Sequence, residues 1–124
     1  NMNEMRIKHS IYLNKKISQI DGIEPPVEQK GCKHVYQMYT IKLTNIDRTQ
    51  FIKHLRDNEI GANVHFDPPV HKQAFYSNFG KDFPVTEDIS QKIVTLPMFP
   101  QLSQEQLDFM LEKIEEAAKK FRTS

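Results

Sequence analysis

The side chains best suited to chemistry are concentrated in one stretch, Asn63-Val64-His65-Phe66-Asp67-Pro68-Pro69-Val70-His71. In extended backbone, Asn63, His65 and Asp67 project to one face, while Val64 and Phe66 project to the other. Two prolines hold the exit extended, which predicts a fixed position for His71. A rigid strand end carrying two imidazoles, an amide and a carboxylate can donate to and accept from a polar ligand. The competing reading is a solvated strand face followed by a proline-rich turn. Spacing alone favours that second reading, because short motifs of this kind are weakly specific.

Other chemistries find less support. His34, His65, His71 and Asp67 are suitable zinc ligands, and three of them plus water would make a hydrolytic centre. No HExxH, HxH or CxxC spacing accompanies them. Cys32 and His34 are a candidate nucleophile and base, yet Cys32 falls in a loop beside Lys30 and Lys33 with no orienting acid. The chain holds neither a GxGxxG nor a GxxxxGK[ST] phosphate loop. Tyr36, Met38 and Tyr39 would stack on a base, but too few basic residues are interleaved with them for a nucleic-acid surface. Local chemistry therefore leaves a ligand edge, weighed below the solvated-face reading, with no evident catalytic engine.

The elements that must position this edge follow from periodicity. Met2, Met5, His9, Leu13, Ile17 and Ile20 recur at helical spacing, with Ile7 and Ile11 widening the face, and Gly22 sits where a left-handed residue would close the helix. From Glu24-Pro25-Pro26 to Lys33 the chain reads as loop. Alternation from His34 to Leu43 predicts the clearest strand. Asp47 caps a helix buried through Phe51, Ile52 and Leu55, with Gln50 placed to complete a capping box. Ile60 to Phe66 reads as a second strand, His71 to Phe79 as a short helix ending at Gly80, and Val85, Ile89 and Ile93 as one side of a helix capped by Thr86. Leu96 to Pro100 reads as an edge strand. Ser103 and Gln106 form a capping box for a last helix with Leu107, Met110, Leu111, Ile114, Ala118 and Phe121 on one face.

Length and charge bound the whole. A chain of 124 residues with 38% hydrophobic and 27% charged side chains is sized for one folded domain. Its 17 basic and 16 acidic side chains leave a net charge of +1, which calls for neither a nucleic-acid nor a membrane-surface partner. No apolar run approaches the roughly 20 residues that span a bilayer. The stretch Asn1 to Arg6 lacks the apolar run of a secretory signal, and a lone Cys32 makes a reducing cytoplasm the expectation.

Several strings recur in a telling order. They are His34-Val35-Tyr36-Gln37-Met38-Tyr39, Gly61-Ala62-Asn63-Val64-His65-Phe66 with Pro69 and His71, Phe75-Tyr76, and Leu96-Pro97-Met98-Phe99-Pro100. A terminal helix opening Ser103-Gln104-Glu105-Gln106 follows them. From near Met5 to the last helix, the chain resembles the C-terminal small domain of the DegT/DnrJ/StrS family of pyridoxal-phosphate sugar aminotransferases. The resemblance implies an α+β fold, a small mostly antiparallel sheet of about three strands packed against helices, as in fold-type I aminotransferases. It divides the chain into a connecting helix over residues 1–22 and the small domain over 23–124, with the large cofactor-binding domain absent.

It further implies a cytoplasmic homodimer that passes an amino group from glutamate, through pyridoxal phosphate, to a nucleotide-linked keto-sugar. No lysine here lies in the Ser-rich loop after a strand where the family forms its Schiff base, and the phosphate-cup and pyridinium-partner segments are missing. This piece alone is therefore expected to be inactive and to bind no cofactor. In the family, the segment matching Asn63 to His71 borders the active site. That implies His65 and Phe66 as substrate contacts, with Asn63, Asp67 and His71 beside them. A separated domain should also expose an apolar surface, with Tyr36, Met38 or the first helix as candidates. The alternative from a different class is a free-standing α+β binding or regulatory module without enzymatic activity.

Overall fold

In the computed structural model, which describes residues 1–79 and 82–124, the order is α1 (Met2–Ile17), β1 (Ile23–Glu24), β2 (Tyr39–Leu43), α2 (Arg48–Asp57), α3 (Pro84–Ser90), β3 (Ile93–Leu96) and α4 (Gln104–Lys120). Short 3₁₀ turns at Val70–Lys72 and Ala74–Phe79 lie between α2 and α3. The strands form an antiparallel sheet in the order β1-β2-β3, so the class is the α+β one the sequence implies.

The alternation that predicts a strand also explains the core. Tyr39, Ile41 and Leu43 of β2 share a face, and all three are buried. They pack in one cluster with Leu13 and Ile17 of α1, Phe51 and Leu55 of α2, Val94 and Leu96 of β3, and Leu107, Met110 and Ile114 of α4. Each such side chain contributes about 1.5–3 kcal/mol when taken fully out of water. The Tyr39 hydroxyl donates to Asn14 Oδ1 at 2.6 Å, which satisfies the buried phenol and ties β2 to α1. Burial raises the pKa of that phenol well above the usual tyrosine range. Opposite charges face each other across β1 and β2, where Lys42 Nζ lies 2.7 Å from Glu24.

Several expected boundaries move, each for a local reason. The first helix stops at Ile17 with Ser18 as its C-cap, a turn short of Ile20. Gly22 does take the left-handed conformation, at φ +82°, but in the turn that enters β1. Only part of the expected apolar face of α1 is covered: Leu13 and Ile17 are buried beside Ser10, while Met2, Met5 and Ile11 stay exposed. Ile23 and Glu24 join the sheet instead of opening a loop.

The strand predicted from His34 begins only at Tyr39. Tyr36 adopts φ +50° and its N–H donates to His34 Nδ1 at 2.9 Å, a local bond that replaces the ladder. Tyr36 is consequently buried instead of presenting an apolar surface, although Val35 and Met38 remain exposed.

Of the second predicted strand, Ile60 to Phe66, one bridge survives, between Asn63 and Thr95. α3 starts at Pro84, whose fixed φ suits the first helical position; Phe83, not Thr86, is its N-cap, and Ile93 belongs to β3. Leu96 ends β3, and residues 97–100 continue outside it. The predicted His71–Phe79 helix is a pair of 3₁₀ turns, and its end at Gly80 lies outside the described residues.

Of the two predicted capping boxes, one forms completely and the other halfway. Ser103 Oγ accepts from Gln106 N–H at 3.1 Å, and Gln106 Oε1 accepts from Ser103 N–H at 2.9 Å, a complete box. Asp47 Oδ1 accepts from Gln50 N–H, but the Asp47 N–H donates to the Phe121 carbonyl at 2.9 Å instead of to the Gln50 side chain. That bond, the bridge between Ile46 and Arg122, and the ion pair of Arg122 with Asp21 stitch the end of α4 to the front of α2 and to the α1–β1 turn.

Gly22→Ala should lower stability by more than about 1 kcal/mol, since alanine disfavours a positive φ. Its added Cβ would also stand 2.7 Å from the Thr44 carbonyl oxygen. Ser103→Ala should cost about 1 kcal/mol through the lost cap. Both read out as a fall in the urea midpoint with unchanged slope.

Candidate functional site

The segment carrying the candidate residues leaves the sheet at Asn63. Its backbone exchanges hydrogen bonds with Thr95, at 3.0 and 2.7 Å, on the side of β3 away from β2. Arg56 fixes this departure point: Nε donates to the Ala62 carbonyl at 2.8 Å and a terminal nitrogen donates to Asn63 Oδ1 at 2.5 Å. Beyond it the chain turns, with His65–Phe66 and Asp67–Pro68 both cis. The alternation predicted for a strand does not apply there, because one bridge holds Asn63 and no ladder continues past it. The Asp67 carboxylate lies 3.6 Å from the Arg48 guanidinium, which also donates to the Ser90 carbonyl at 2.5 Å. Pro69 is buried.

The far end of the segment is clasped to α3. Glu87 accepts from Lys72 Nζ at 2.7 Å, from His71 Nε2 at 3.0 Å and from the Phe83 N–H at 3.3 Å. These donors, Lys72 first and then His71, hold the Glu87 carboxyl down at about 2, so it is ionised at neutral pH. An ionised carboxylate only accepts, which makes His71 Nε2 the donor. The His71 ring also lies against Phe83, with centroids 4.9 Å apart.

Between the segment and α3 opens a cavity of about 310 Å³, walled by His65, Phe66 and Val70 on one side and by Val85, Ile89 and Ser90 on the other. Phe66 is 69% exposed, and its ring stands edge-on to that of His65 at 6.0 Å. The structure thus sorts the five candidates. His65 and Phe66 border the cavity, whereas Asn63, Asp67 and His71 are engaged by Arg56, Arg48 and Glu87. His34 is packed on Tyr36, and among the described residues no cluster of three or more His, Cys, Asp or Glu could hold a metal ion.

With the fold and this geometry in view, comparison with known proteins is decisive. Residues 1–115 match the DegT/DnrJ/EryC1/StrS aminotransferase family. The chain belongs to that family. A pleiotropic regulatory protein of Geobacillus stearothermophilus is 30% identical over 95% of this chain and 32% of its own length. The dTDP-3-amino-3,4,6-trideoxy-alpha-D-glucose transaminase of Micromonospora megalomicea subsp. nigra is 33% identical over 77% of this chain and 26% of its own. Among solved structures, the aminotransferase TlmJ from Streptoalloteichus hindustanus superposes with a TM-score of 0.86 at 17% identity, over 96% of this chain and 32% of that one, a likeness of fold. The chain therefore spans a third or less of the length of these relatives.

Pyridoxal phosphate, the cofactor of DegT/DnrJ/EryC1/StrS aminotransferases, needs a lysine able to shed its proton and form an imine. Lys42, Lys53, Lys72, Lys92, Lys113 and Lys119 each sit on a carboxylate, which engages the amine that an imine would need. For Lys113 the bonds to Glu116 and Glu112 raise the pKa. These six lysines do not fit the cofactor.

The structure also brings forward residues that sequence reasoning passed over. Arg48 and Arg56 are eight positions apart, about two helical turns, and so share a face of α2. That spacing was the available signal. Glu87 offered none, since nothing local links it to His71.

Glu87 is also a handle on the clasp. Its carboxyl sits at about 2 in the fold against an ordinary 4.5, so between these values the unfolded chain binds the extra proton. The clasp's contribution is fully present above about pH 4.5 and is lost as pH falls toward 2. Glu87→Gln should remove this acid-side dependence, read from the pH course of the His71 ring and Phe83 amide resonances.

Proposed function

We propose that this chain is the C-terminal domain of a sugar aminotransferase that passes an amino group from glutamate to a nucleotide-linked keto-sugar. Residues 1–22 are the connecting helix and 23–124 the small domain, and the intact enzyme works as a cytoplasmic homodimer. Family membership supports amino transfer, and the transaminase relative acting on a dTDP-linked sugar supports the substrate class. Pyridoxal phosphate would supply the amino-group chemistry and is held by residues outside this chain. The exposed Met2, Met5 and Ile11 of α1 give the cofactor-binding domain an apolar surface to cover.

The observation that carries the reading is the cavity bordered by His65 and Phe66, within a segment anchored at both ends. The imidazole of His65 donates to a sugar hydroxyl or a diphosphate oxygen. Phe66 walls off the apolar face of the sugar ring and keeps water from it. Neither residue transfers a proton to the reacting carbon; they bind and orient.

In the full-length protein, His65→Ala should raise KM for the nucleotide-sugar roughly three- to tenfold, the worth of one hydrogen bond, with the glutamate half-reaction unchanged. Steady-state kinetics of each half-reaction check this, and an unaltered sugar KM would refute the assignment.

A further inference from the structure

Arg48 opens α2, and its guanidinium reaches two parts of the chain far from it in sequence. One terminal nitrogen donates to the carbonyl of Ser90, the last residue of α3, at 2.5 Å. The other stands 3.6 Å from Asp67 Oδ2, one residue beyond Phe66. The Arg48 side chain is 19% exposed, while Asp67 at the end of one arm is 45% exposed. Because the guanidinium is planar and rigid, its two ends hold their partners at a set separation, which a lysine ammonium cannot do.

Those partners belong to opposite walls of the cavity. Ser90 lies on the α3 wall, and Asp67 continues the wall formed by His65 and Phe66. Backbone pairing cannot set the distance between the walls, since the segment's bridge to the sheet is at Asn63. The clasp on Glu87 acts further along, at His71 and Lys72. Between these anchors, Arg48 meets the turn at Asp67.

We propose that Arg48 is a positioning residue: by holding the His65–Asp67 turn against the C-terminal end of α3, it sets the width of the cavity that receives the substrate. It acts through Asp67 and Ser90 and does not itself touch the ligand. Its effect on substrate rests on the sugar-site reading above; its effect on the turn does not.

The test uses the full-length protein with Arg48→Met, Arg48→Lys and Asp67→Asn. Arg48→Met should raise KM for the nucleotide-sugar on the order of tenfold, as displaced binding groups do. The glutamate half-reaction should stay within about twofold, since no part of it uses this turn. Arg48→Lys should fall between wild type and Arg48→Met. Asp67→Asn should reproduce part of the loss and add nothing to it in the double variant, because both act through one contact.

Hydrogen exchange gives a readout independent of substrate: amides at 64–67 should exchange faster in Arg48→Met, while those of α4 are unchanged. Should Arg48→Met fail to fold, Asp67→Asn carries both measurements. Unchanged exchange at 64–67, or equal losses in both half-reactions, overturns the proposal. Faster exchange with no change in sugar KM for either Arg48→Met or His65→Ala keeps the positioning role and rejects the sugar site. A raised KM in His65→Ala, with Arg48→Met altering neither KM nor exchange, rejects the positioning role alone.

Discussion

The antiparallel pairing of Tyr39–Leu43 with Ile93–Leu96 is the constraint on which the rest of the molecule depends. It places Tyr39 opposite Leu96 and Ile41 opposite Val94, so the buried faces of both strands fall on the same side. A slip of one residue would turn Tyr39, Ile41 and Leu43 out to water. The register also fixes Thr95, which serves two neighbours: its hydroxyl meets that of Thr40 at 3.0 Å, and its backbone pairs with Asn63 on the other side. The candidate binding segment is thus launched from the sheet at a point the core determines.

Past that point the mode of construction changes. Backbone hydrogen bonds hold the sheet, whereas side chains hold the candidate segment: Arg56 at its start, Arg48 along the turn, and Glu87 at its end. Two of these come from α2 and one from α3, so the segment is located by helices that flank it and not by its own regularity. The cavity is what remains open between the segment and α3 once those contacts are made.

This difference explains what could be read in the sequence. β2, α2 and α4 are visible because their signals are local: alternation at Tyr39–Leu43, a cap at Asp47, and a reciprocal box at Ser103 and Gln106. The α+β class follows from them. The places where expectation failed are those where a contact distant in sequence, or one side chain folding back, overrides periodicity. His34 captures the Tyr36 N–H and shortens the strand. The Phe121 carbonyl takes the N–H that would have closed the second capping box. Ile93 has helical spacing from Val85 and Ile89 yet is drawn into the sheet by Lys42. At the site, the ordered strings around His65 and Phe66 were legible, but the partners of Asn63, Asp67 and His71 were not. Those partners lie 7, 19 and 16 residues away and form no motif.

A binding segment held by tethers has a consequence for how such a domain can diversify. Replacing Phe66, Val70 or Val85, all exposed, alters the lining of the cavity without removing any side chain from the core. The stability of the scaffold and the selectivity of the opening are thereby separable traits. Surface substitutions there can reshape the opening while the arginine and glutamate anchors persist.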